Sequence, residues 1–460
     1  MCIRLRSACL GLAIACCLTS CYPTIPTISY MSKGAAYLHS QQAVSKQLVN
    51  QFQHENALLF RGIDGNYELT MFSSPVYIQE GDAYDLCDNT IIASEEGNTP
   101  AAYTNRRGGI RTTLPQRLSA DEGIRLAFAN TSMTILPQMQ TSGKAKQTIY
   151  TDLYSHQSER LCYSDVFGKG SCAAAIDDFG VNLELEVKTA LTKIEFLLEI
   201  ENVTVDRSCP DYVLFRGAKD KEAVAIVYQP VFAAKEDKLL QGLLREPCDM
   251  SVQEESAGRY RLTITIPENL AQEKSSWPLK ISQSFHLYQA KQPDSAIYSQ
   301  DDAGYYLNDK VVLGHSNKGE GQLNVRFEAL DLLDISPEDV LNAEYIISEI
   351  SGGCEPAKIA MVPIVSEWCS LNTRWNTRPE LDEDNARVVS VTTSGDYSFD
   401  VTEPLKRWLE NRGLETNYII RHGFALVNQT PQTPKVFATG DNGMFTTCLK
   451  IQLTNQEENH

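Results

Sequence analysis

The sequence predicts a mainly β protein built of antiparallel β-sandwich domains. Three observations lead to this prediction. Short segments alternate apolar and polar side chains, and a period of two buries one face of a sheet while the other stays in water. Clusters of Gly, Asn, Asp and Pro separate these segments as turns do. Long helical patterns between the segments are missing, which argues against a parallel βαβ sheet.

The chain opens with a segment typical of a secretory signal. Arg4 and Arg6 give it a basic start, and Ala8–Leu18 forms an apolar run of 11 residues. A membrane-spanning helix needs about 20 apolar residues, so we interpret the segment as cleaved rather than as a span. Residues 1–20 are therefore assigned to a signal peptide.

The four residues Leu18-Thr19-Ser20-Cys21 resemble a bacterial lipobox, in which a small residue precedes a cysteine that becomes acylated and N-terminal. The resemblance implies that the mature protein begins at Cys21 and enters the lipid bilayer through acyl chains on that residue. More than one chain gives lasting attachment. The expected location is the cell envelope, as an outer-membrane lipoprotein, with periplasmic and surface exposure both open. The alternative is a plain signal peptide that contains cysteines.

Residues 21–55 are expected to form a tether and a helix. A stretch rich in Pro and Thr begins this segment and suits an extended spacer. Val44, Leu48 and Phe52 then fall on one face at helical spacing, which favours a helix over residues 35–52.

Residues 56–292 form a β-rich region, either one unit or two sandwiches divided near residue 145. Its alternating segments place apolar residues at every second position, and a polar stretch near residue 292 follows the last of them and marks a domain boundary. The segments are Tyr67–Phe72, Ile124–Phe128, Val181–Val187, Ile194–Ile200, Tyr260–Ile266 and Ile281–Tyr288.

Val181–Val187 followed by Leu191–Phe196 resembles the fimbrillin-like surface proteins of Bacteroidetes, where an alternating strand leads into a Leu-x-Lys-Ile strand. The resemblance implies a partner that is another surface protein, because fimbrillins assemble by adding a strand to an open sheet edge.

The charge of the chain restricts its partners. The net charge is −18 and the pI is about 4.9. Nucleic acids and anionic lipid surfaces attract stripes of Lys and Arg, so no nucleic-acid partner is expected.

The thirteen cysteines divide into five within the first 21 residues and eight after them. An even number in an exported chain permits disulfides. The local candidates are Cys162 with Cys172, around a turn-like Gly-Lys-Gly sequence, and Cys354 with Cys369; the connectivity is open. No CxxC pair or zinc-like spacing is present.

Residues 295–456 carry a second resemblance, in the order of their motifs. The segments are Gly321–Phe327, Asp331–Leu333, Val340–Ile346, Val365–Trp368, Arg374–Pro379, Phe399–Thr402, Leu405–Trp408, Gly423–Leu426, Val436–Asp441 and Cys448–Leu453. In this order they resemble the DNRLRE domain family of bacterial surface proteins, which is close to some carbohydrate-binding modules.

The DNRLRE resemblance implies a jelly-roll β-sandwich. Arg374 departs from the family pattern, which has Thr at that position. Trp368, Trp375 and Trp408 belong to the fold's own pattern, so core packing is the first interpretation of each. The second interpretation is a sugar-binding platform of these three tryptophans, with Trp368, Trp375 and Tyr397 as the candidate ligand contacts. Asp400-Val401-Thr402 is expected to cap a helical turn through Thr402.

No cofactor is expected, apart from calcium. The run Glu380–Asn385 offers the oxygen ligands that calcium takes, with Asp382 and Asp384 as the candidate ligands. The run lacks the spacing of an EF-hand loop, so a solvated acidic loop is the alternative.

We find no sequence motif of catalysis: GxSxG, HExxH, GxxxxGK[ST] and Gly-rich dinucleotide turns are all missing. Carboxylates are plentiful, but nothing in the sequence selects a glycosidase pair. The predicted function is therefore that of a non-catalytic, lipid-anchored envelope protein of adhesin type that binds polysaccharide or matrix. One alternative is a fimbria-related subunit or assembly anchor that binds protein strands. Another is a polysaccharide hydrolase or its accessory.

Overall fold

The computed structural model describes most of the chain between residues 46 and 454. The described residues are 46–49, 56–72, 75–80, 83–94, 102–139, 142–151, 157–167, 169–188, 191–219, 221–233, 246–268, 278–287, 294–305, 307–326, 335–350, 354–368, 370, 373–410, 423–442 and 447–454. The predicted signal peptide, Cys21 and the tether lie outside these ranges.

Two β-sandwiches make up the described part of the chain. The inserted sandwich consists of residues 88–287. The terminal sandwich combines residues 46–72 with residues 294–454, so the inserted sandwich interrupts it in sequence. A hairpin of residues 77–86 lies between residues 72 and 88 in the sequence. The predicted class, mainly β with antiparallel sheets, is confirmed. The first strands are β1 (Gln47–Leu48), β2 (Ala57–Arg61), β3 (Tyr67–Phe72), β4 (Tyr77–Glu80) and β5 (Ala83–Leu86).

The inserted sandwich follows along the chain. Its strands are β6 (Asp88–Ala93), β7 (Tyr103–Arg107), β8 (Arg111–Leu114), β9 (Arg117–Leu118), β10 (Ile124–Phe128), β11 (Thr131–Pro137), β12 (Gly143–Thr151), β13 (Gln157–Val166), β14 (Gly170–Ile176), β15 (Gly180–Val187), β16 (Lys193–Glu199), β17 (Val203–Asp206), β18 (Tyr212–Gly217), β19 (Ala223–Tyr228), β20 (Val231–Ala233), β21 (Glu246–Pro247), β22 (Asp249–Ser256), β23 (Arg259–Thr265) and β24 (Leu279–Leu287).

The terminal sandwich then resumes. Its remaining elements are β25 (Asp294–Tyr298), β26 (Asp301–Tyr305), β27 (Lys310–Ser316), β28 (Gly319–Val325), a 3-10 turn (Pro337–Asp339), β29 (Val340–Glu349), β30 (Ala357–Pro363), two further 3-10 turns (Trp375–Thr377 and Glu383–Asn385), β31 (Arg387–Val391), β32 (Gly395–Asp400), helix α1 (Thr402–Glu410), β33 (Phe424–Asn428), β34 (Lys435–Ala438) and β35 (Thr447–Leu453).

The inserted sandwich packs two antiparallel sheets face to face. The front sheet has the order β22-β23-β16-β11-β10-β8-β7-β6, and the back sheet has the order β17-β18-β19-β24-β15-β14-β13-β12-β9. Apolar residues from both inner faces form one core, and the rings of Phe196 and Phe285 meet across it with centroids 5.7 Å apart. The predicted division near residue 145 is wrong, because β12 runs through this position and pairs with both β9 and β13.

The terminal sandwich is closed by a pairing between distant parts of the chain. Strand β3 pairs with β35 along its whole length, from Tyr67 opposite Leu453 to Phe72 opposite Cys448. The prediction that residues from 56 onward begin the middle region is therefore wrong for residues 57–72. Their apolar residues, such as Leu69 and Met71, complete the core of the terminal sandwich instead.

The predicted helix over residues 35–52 is wrong in its described part. Gln47 and Leu48 form the short strand β1 and pair with Arg61 and Phe60. Leu48 packs beside Phe60 in an apolar cluster, so tertiary contacts override the local helical spacing. The rest of the predicted helix lies outside the described residues. No helix in the described ranges has the length and apolar character needed to cross a membrane.

Helix α1 packs one apolar face against the terminal sandwich. Leu405, Trp408 and Leu409 are buried in the core of the terminal sandwich. The predicted capping role of Thr402 is wrong, because its hydroxyl accepts a hydrogen bond from the Ala343 amide at 2.9 Å and so ties the helix start to β29. The Asp400 carboxylate in turn accepts a bond from the Thr402 amide at 2.9 Å.

The two sandwiches meet at strands β18 and β19, which are buried on both faces. Val213 and Val227 point into the inserted core, whereas Leu214 and Ile226 point into the terminal core. Polar contacts flank this apolar contact. The Tyr228 hydroxyl donates to a backbone oxygen of the terminal sandwich at 2.9 Å.

An ion pair also joins the two sandwiches. The Lys318 ammonium group lies 2.6 Å from a carboxylate oxygen of Asp211 and 4.1 Å from the ring centroid of Tyr305. Asn308 donates to the same carboxylate at 3.1 Å. Since the charge of Lys318 meets both a carboxylate and an aromatic face, this contact orients the sandwiches more specifically than the apolar contact alone.

The predicted disulfide between Cys162 and Cys172 is wrong. In the β13–β14 pairing, Cys172 lies opposite Tyr163 and Cys162 lies opposite Ala173, so the two thiols project from opposite faces of the back sheet. Both thiols are free, and so is the exposed Cys354. Its predicted partner, Cys369, lies outside the described residues.

The closing strand pair predicts a local effect of one substitution. Leu69→Ala removes a buried side chain opposite Ile451 and is expected to cost about 2–5 kcal/mol. Hydrogen exchange should speed up in β35, about 380 residues further along the chain, and stay slow in β14. The control Leu183→Ala, in the inserted core, should produce the reverse pattern. Unchanged protection of β35 in Leu69→Ala would contradict the assignment.

Thiol accessibility gives a second prediction. Burial raises the pKa of the Cys209 and Cys248 thiols to about 12, which keeps them protonated and unreactive. A maleimide added to the native protein should therefore label Cys354 rapidly, and Cys209, Cys248 and Cys172 only after denaturation. Peptide mass spectrometry of the labelled chain identifies each site. Rapid native labelling of Cys172 would show that the back sheet is open there.

Candidate functional site

The predicted aromatic residues occupy different environments. Trp408 is 3% exposed and belongs to the core, and Trp368 is 8% exposed and packs with Ile364. The guanidinium of Arg326 lies 5.5 Å from the ring centroid of Trp368. For these two tryptophans the core-packing interpretation holds, since neither offers an open ring face to a ligand.

Trp375 differs because it is partly exposed at the surface of the terminal sandwich. It begins a 3-10 turn in which the Thr377 hydroxyl accepts a hydrogen bond from the Arg374 amide at 3.1 Å. The Arg378 guanidinium lies 4.6 Å from the ring centroid of Trp375 and donates to the Trp375 carbonyl oxygen at 3.1 Å. We call Arg374, Trp375, Thr377 and Arg378 the Trp375 surface.

Backbone pairing fixes the segment that follows this surface. The Val365 amide donates to the Glu380 carbonyl at 2.9 Å, and the Glu380 amide donates to the Ser366 hydroxyl at 2.7 Å. Ile364 forms an isolated antiparallel bridge with Leu381. These contacts close the base of the loop that carries the 3-10 turn of Trp375.

Asp382 and Asp384 lie just beyond this segment. The Asp382 carboxylate accepts a hydrogen bond from the Asn385 side chain at 2.6 Å, and Asp384 is exposed. Within the described ranges, no three His, Cys, Asp or Glu side chains form a group that could hold a metal ion. Calcium binding at these two residues stays a prediction.

Tyr397 lies apart from the Trp375 surface, on strand β32. Its hydroxyl accepts hydrogen bonds from the amides of Thr392 and Thr393 at 3.0 and 3.1 Å and donates to the Thr393 carbonyl at 2.7 Å. The hydroxyl therefore closes the hairpin between β31 and β32. This role in the turn accounts for Tyr397 without a ligand.

A buried pair of titratable groups lies in the inserted sandwich. His286 Nε2 is 3.1 Å from an Asp177 carboxylate oxygen, and both side chains are 4% exposed. The same carboxylate accepts bonds from the Phe179 and Gly180 amides at 2.8 Å and from Asn182 at 2.6 Å. Asp177 thus joins the β14–β15 turn to β24.

The electrostatics of Asp177 follow from these contacts. Burial acts to raise the pKa of its carboxyl group, but the facing His286 imidazole and the donated hydrogen bonds outweigh burial and lower the pKa to about 2. The imidazole also packs against the rings of Tyr228 and Phe179. Since the pair is closed off from solvent, we interpret it as a structural contact.

Comparisons with known proteins add little to this geometry. No family model and no curated protein matches the chain. Among solved structures, the chain is similar at 8% identity to a crystal structure of an exo-β-1,3-galactanase from Phanerochaete chrysosporium with β-1,3-galactotriose. The alignment covers 88% of this chain and 95% of that chain, with a TM-score of 0.12. A TM-score this low carries no argument. The DNRLRE-like and fimbrillin-like resemblances stay predictions.

The Asp177–His286 pair predicts a dependence of stability on pH. The pKa of Asp177 lies below its ordinary value of 3.8, so the pair stabilises the fold above that value and loses its effect as the pH falls towards 2. Between pH 5 and pH 2 the native protein should lose about 2 kcal/mol more stability than Asp177→Asn. Urea unfolding at each pH measures this difference. Asp384→Asn, at an exposed carboxylate, serves as the control. If the stability of Asp177→Asn depended on pH as that of the native protein does, the stabilising role of the Asp177–His286 pair would be contradicted.

Proposed function

We propose that this protein is a non-catalytic, lipid-anchored envelope protein that binds polysaccharide through the Trp375 surface. The observation that carries the proposal is the partly exposed Trp375 ring beside the Arg378 guanidinium. The other two tryptophans of the DNRLRE-like pattern, Trp368 and Trp408, are buried. The candidate platform therefore reduces to one ring and its polar neighbours.

The chemistry of the Trp375 surface suits a sugar ring. An indole offers a large apolar face with few rotatable bonds, so it binds at a low cost in conformational entropy. Guanidinium groups donate several hydrogen bonds in a fixed plane, which matches the hydroxyl and ring oxygens of a saccharide. Because hydrogen bonds within the 3-10 turn already hold Trp375, little ordering remains to oppose binding.

The location in the proposal rests on the lipobox resemblance at Leu18–Cys21. A polysaccharide-binding domain behind the Pro- and Thr-rich tether that follows Cys21 would reach polymers close to the membrane while remaining attached to it. Acyl chains on Cys21 supply this attachment.

A second candidate function is strand addition by another surface protein, as the fimbrillin-like resemblance implies. The observation that favours it is strand β31, which within the described ranges pairs only with β30 and exposes 48% of Val388. By contrast, edge strand β22 carries Glu254 and Glu255 and a bulge, which discourage pairing. This candidate predicts oligomers that Val388→Lys abolishes and that free sugars do not affect.

Binding to a polysaccharide array tests the leading proposal. The full chain should bind at least one polymer saturably, and Trp375→Ala should weaken this binding about 10- to 100-fold, since stacking and anchoring contribute together. Tyr397→Phe is the matched control and should bind like the native protein. Runs with calcium and with chelator test Asp382 and Asp384.

Three outcomes separate the candidates. Equal binding by Trp375→Ala and the native protein would contradict the Trp375 surface. If no polymer of the array binds and the protein forms oligomers that Val388→Lys abolishes, the strand-adding subunit is favoured. Release of reducing ends from a bound polymer would favour the hydrolase alternative.

A further inference from the structure

The outer face of the front sheet in the inserted sandwich carries a groove of about 510 Å³. No sequence motif indicated it. The groove lies in a different sandwich from the Trp375 surface, and its residues come from strands β8, β10, β11, β16 and β23 together with the loop before β10.

The floor of the groove is a row of polar side chains running across the strands. Thr113 lies opposite Arg125, Arg125 opposite Thr134, Thr134 opposite Glu199, and Glu199 opposite Arg259. The flanking positions on these strands, such as Ile124 and Leu126, point into the core, so the five polar side chains share the outer face. With neighbouring strands about 4.8 Å apart, the row spans about 19 Å.

A fixed loop forms the rim of the groove. The Ser119 hydroxyl accepts hydrogen bonds from the amides of Asp121 and Glu122 at 3.3 and 3.1 Å, and the Ser119 amide donates to the Glu122 carbonyl at 3.0 Å. The loop then enters β10 through Gly123. A Cβ atom at this position would lie 2.2 Å from the Ile135 carbonyl oxygen, so glycine permits the close approach.

Apolar residues extend this same side of the groove. Pro115 and Leu136 lie in the strand registers on either side of Gly123 and give the groove apolar contact surface. The hydroxyl of Tyr163, a fully buried residue of the back sheet, donates to the Pro115 carbonyl at 2.8 Å. The rim is therefore held by contacts that do not involve a ligand.

The two arginines of the groove differ in whether their guanidinium group is paired. Arg259 lies 3.3 Å from Glu199, as an exposed ion pair. Arg125 is exposed, and no residue in the described part of the chain forms an ion pair or hydrogen bond with its guanidinium. Its five N–H donors are open to a ligand between the hydroxyls of Thr113 and Thr134.

From this arrangement we infer that the groove is a second saccharide-binding site, which takes a linear, uncharged polysaccharide. The two guanidinium groups are nearly balanced by the three carboxylates of Asp121, Glu122 and Glu199, so the groove gives a charged polymer no net attraction. Hydroxyl, guanidinium and carboxylate groups together provide donors and acceptors for vicinal sugar hydroxyls. The site is independent of the Trp375 surface.

The test uses the purified full chain and four soluble, largely linear polymers, dextran, pullulan, laminarin and glucomannan, with alginate and polygalacturonate as charged polymers. Calorimetry should show saturable binding to at least one uncharged polymer, little changed by salt. Arg125→Ala should weaken this binding about 10- to 100-fold, the effect of losing hydrogen bonds to a charged group. Hydrogen exchange with the polymer bound should slow within residues 119–125.

Arg261→Ala is the matched control, because Arg261 lies on the same strand as Arg259 but outside the groove and pairs with Glu255. It should bind like the native protein. Failure of all four uncharged polymers to bind, unchanged affinity in Arg125→Ala, or salt-sensitive binding of the charged polymers alone would overturn the inference. Loss of binding in Trp375→Ala with native binding in Arg125→Ala would support the Trp375 surface and contradict the groove.

Discussion

The architecture depends on the pairing of β3 with β35. These strands are separated by almost the whole described chain, yet they lie side by side over six residue pairs. The pairing encloses the inserted sandwich between two parts of one domain, so both ends of the insertion are anchored in the same sheet system. Forming such a contact costs loop-closure entropy, but this cost grows only logarithmically with loop length, and buried pairs such as Leu69 and Ile451 offset it.

The contact between the sandwiches follows from that enclosure. Strands β18 and β19 lie between two cores, and their sequences are accordingly near-continuous apolar runs rather than alternating ones. A strand buried on both faces needs this composition. The ion pair of Asp211 with Lys318 then selects one orientation of the two apolar surfaces. Together these contacts join the two sandwiches.

Alternation predicted which residues face a core but not which strands are neighbours. Val181–Val187 shows the confirmed part, because its four apolar residues are all buried. Leu48 shows the limit, since three apolar residues at helical spacing could not reveal that Phe60 lies beside it. The disulfide prediction failed for the same reason: sequence proximity of Cys162 and Cys172 says nothing about the faces they occupy.

The Asp177–His286 contact joins residues 109 apart and left no local signal in the sequence. The Trp375 surface could be predicted in part, because the motif drew attention to its tryptophan while exposure alone separated it from Trp368.

Strand order also explains why the sequence alone did not predict the groove. Arg125, Glu199 and Arg259 are the ordinary polar members of three alternating strands, and each alone indicates a solvated face. Only the pairing of β10 with β11, β11 with β16 and β16 with β23 brings them into one row. On the proposal that this row and the Trp375 surface both bind saccharide, a polymer long enough to reach both sites would bind with a higher effective concentration at the second site, whereas short oligosaccharides would gain nothing from it. The dependence of affinity on polymer length would then test the two proposed sites together.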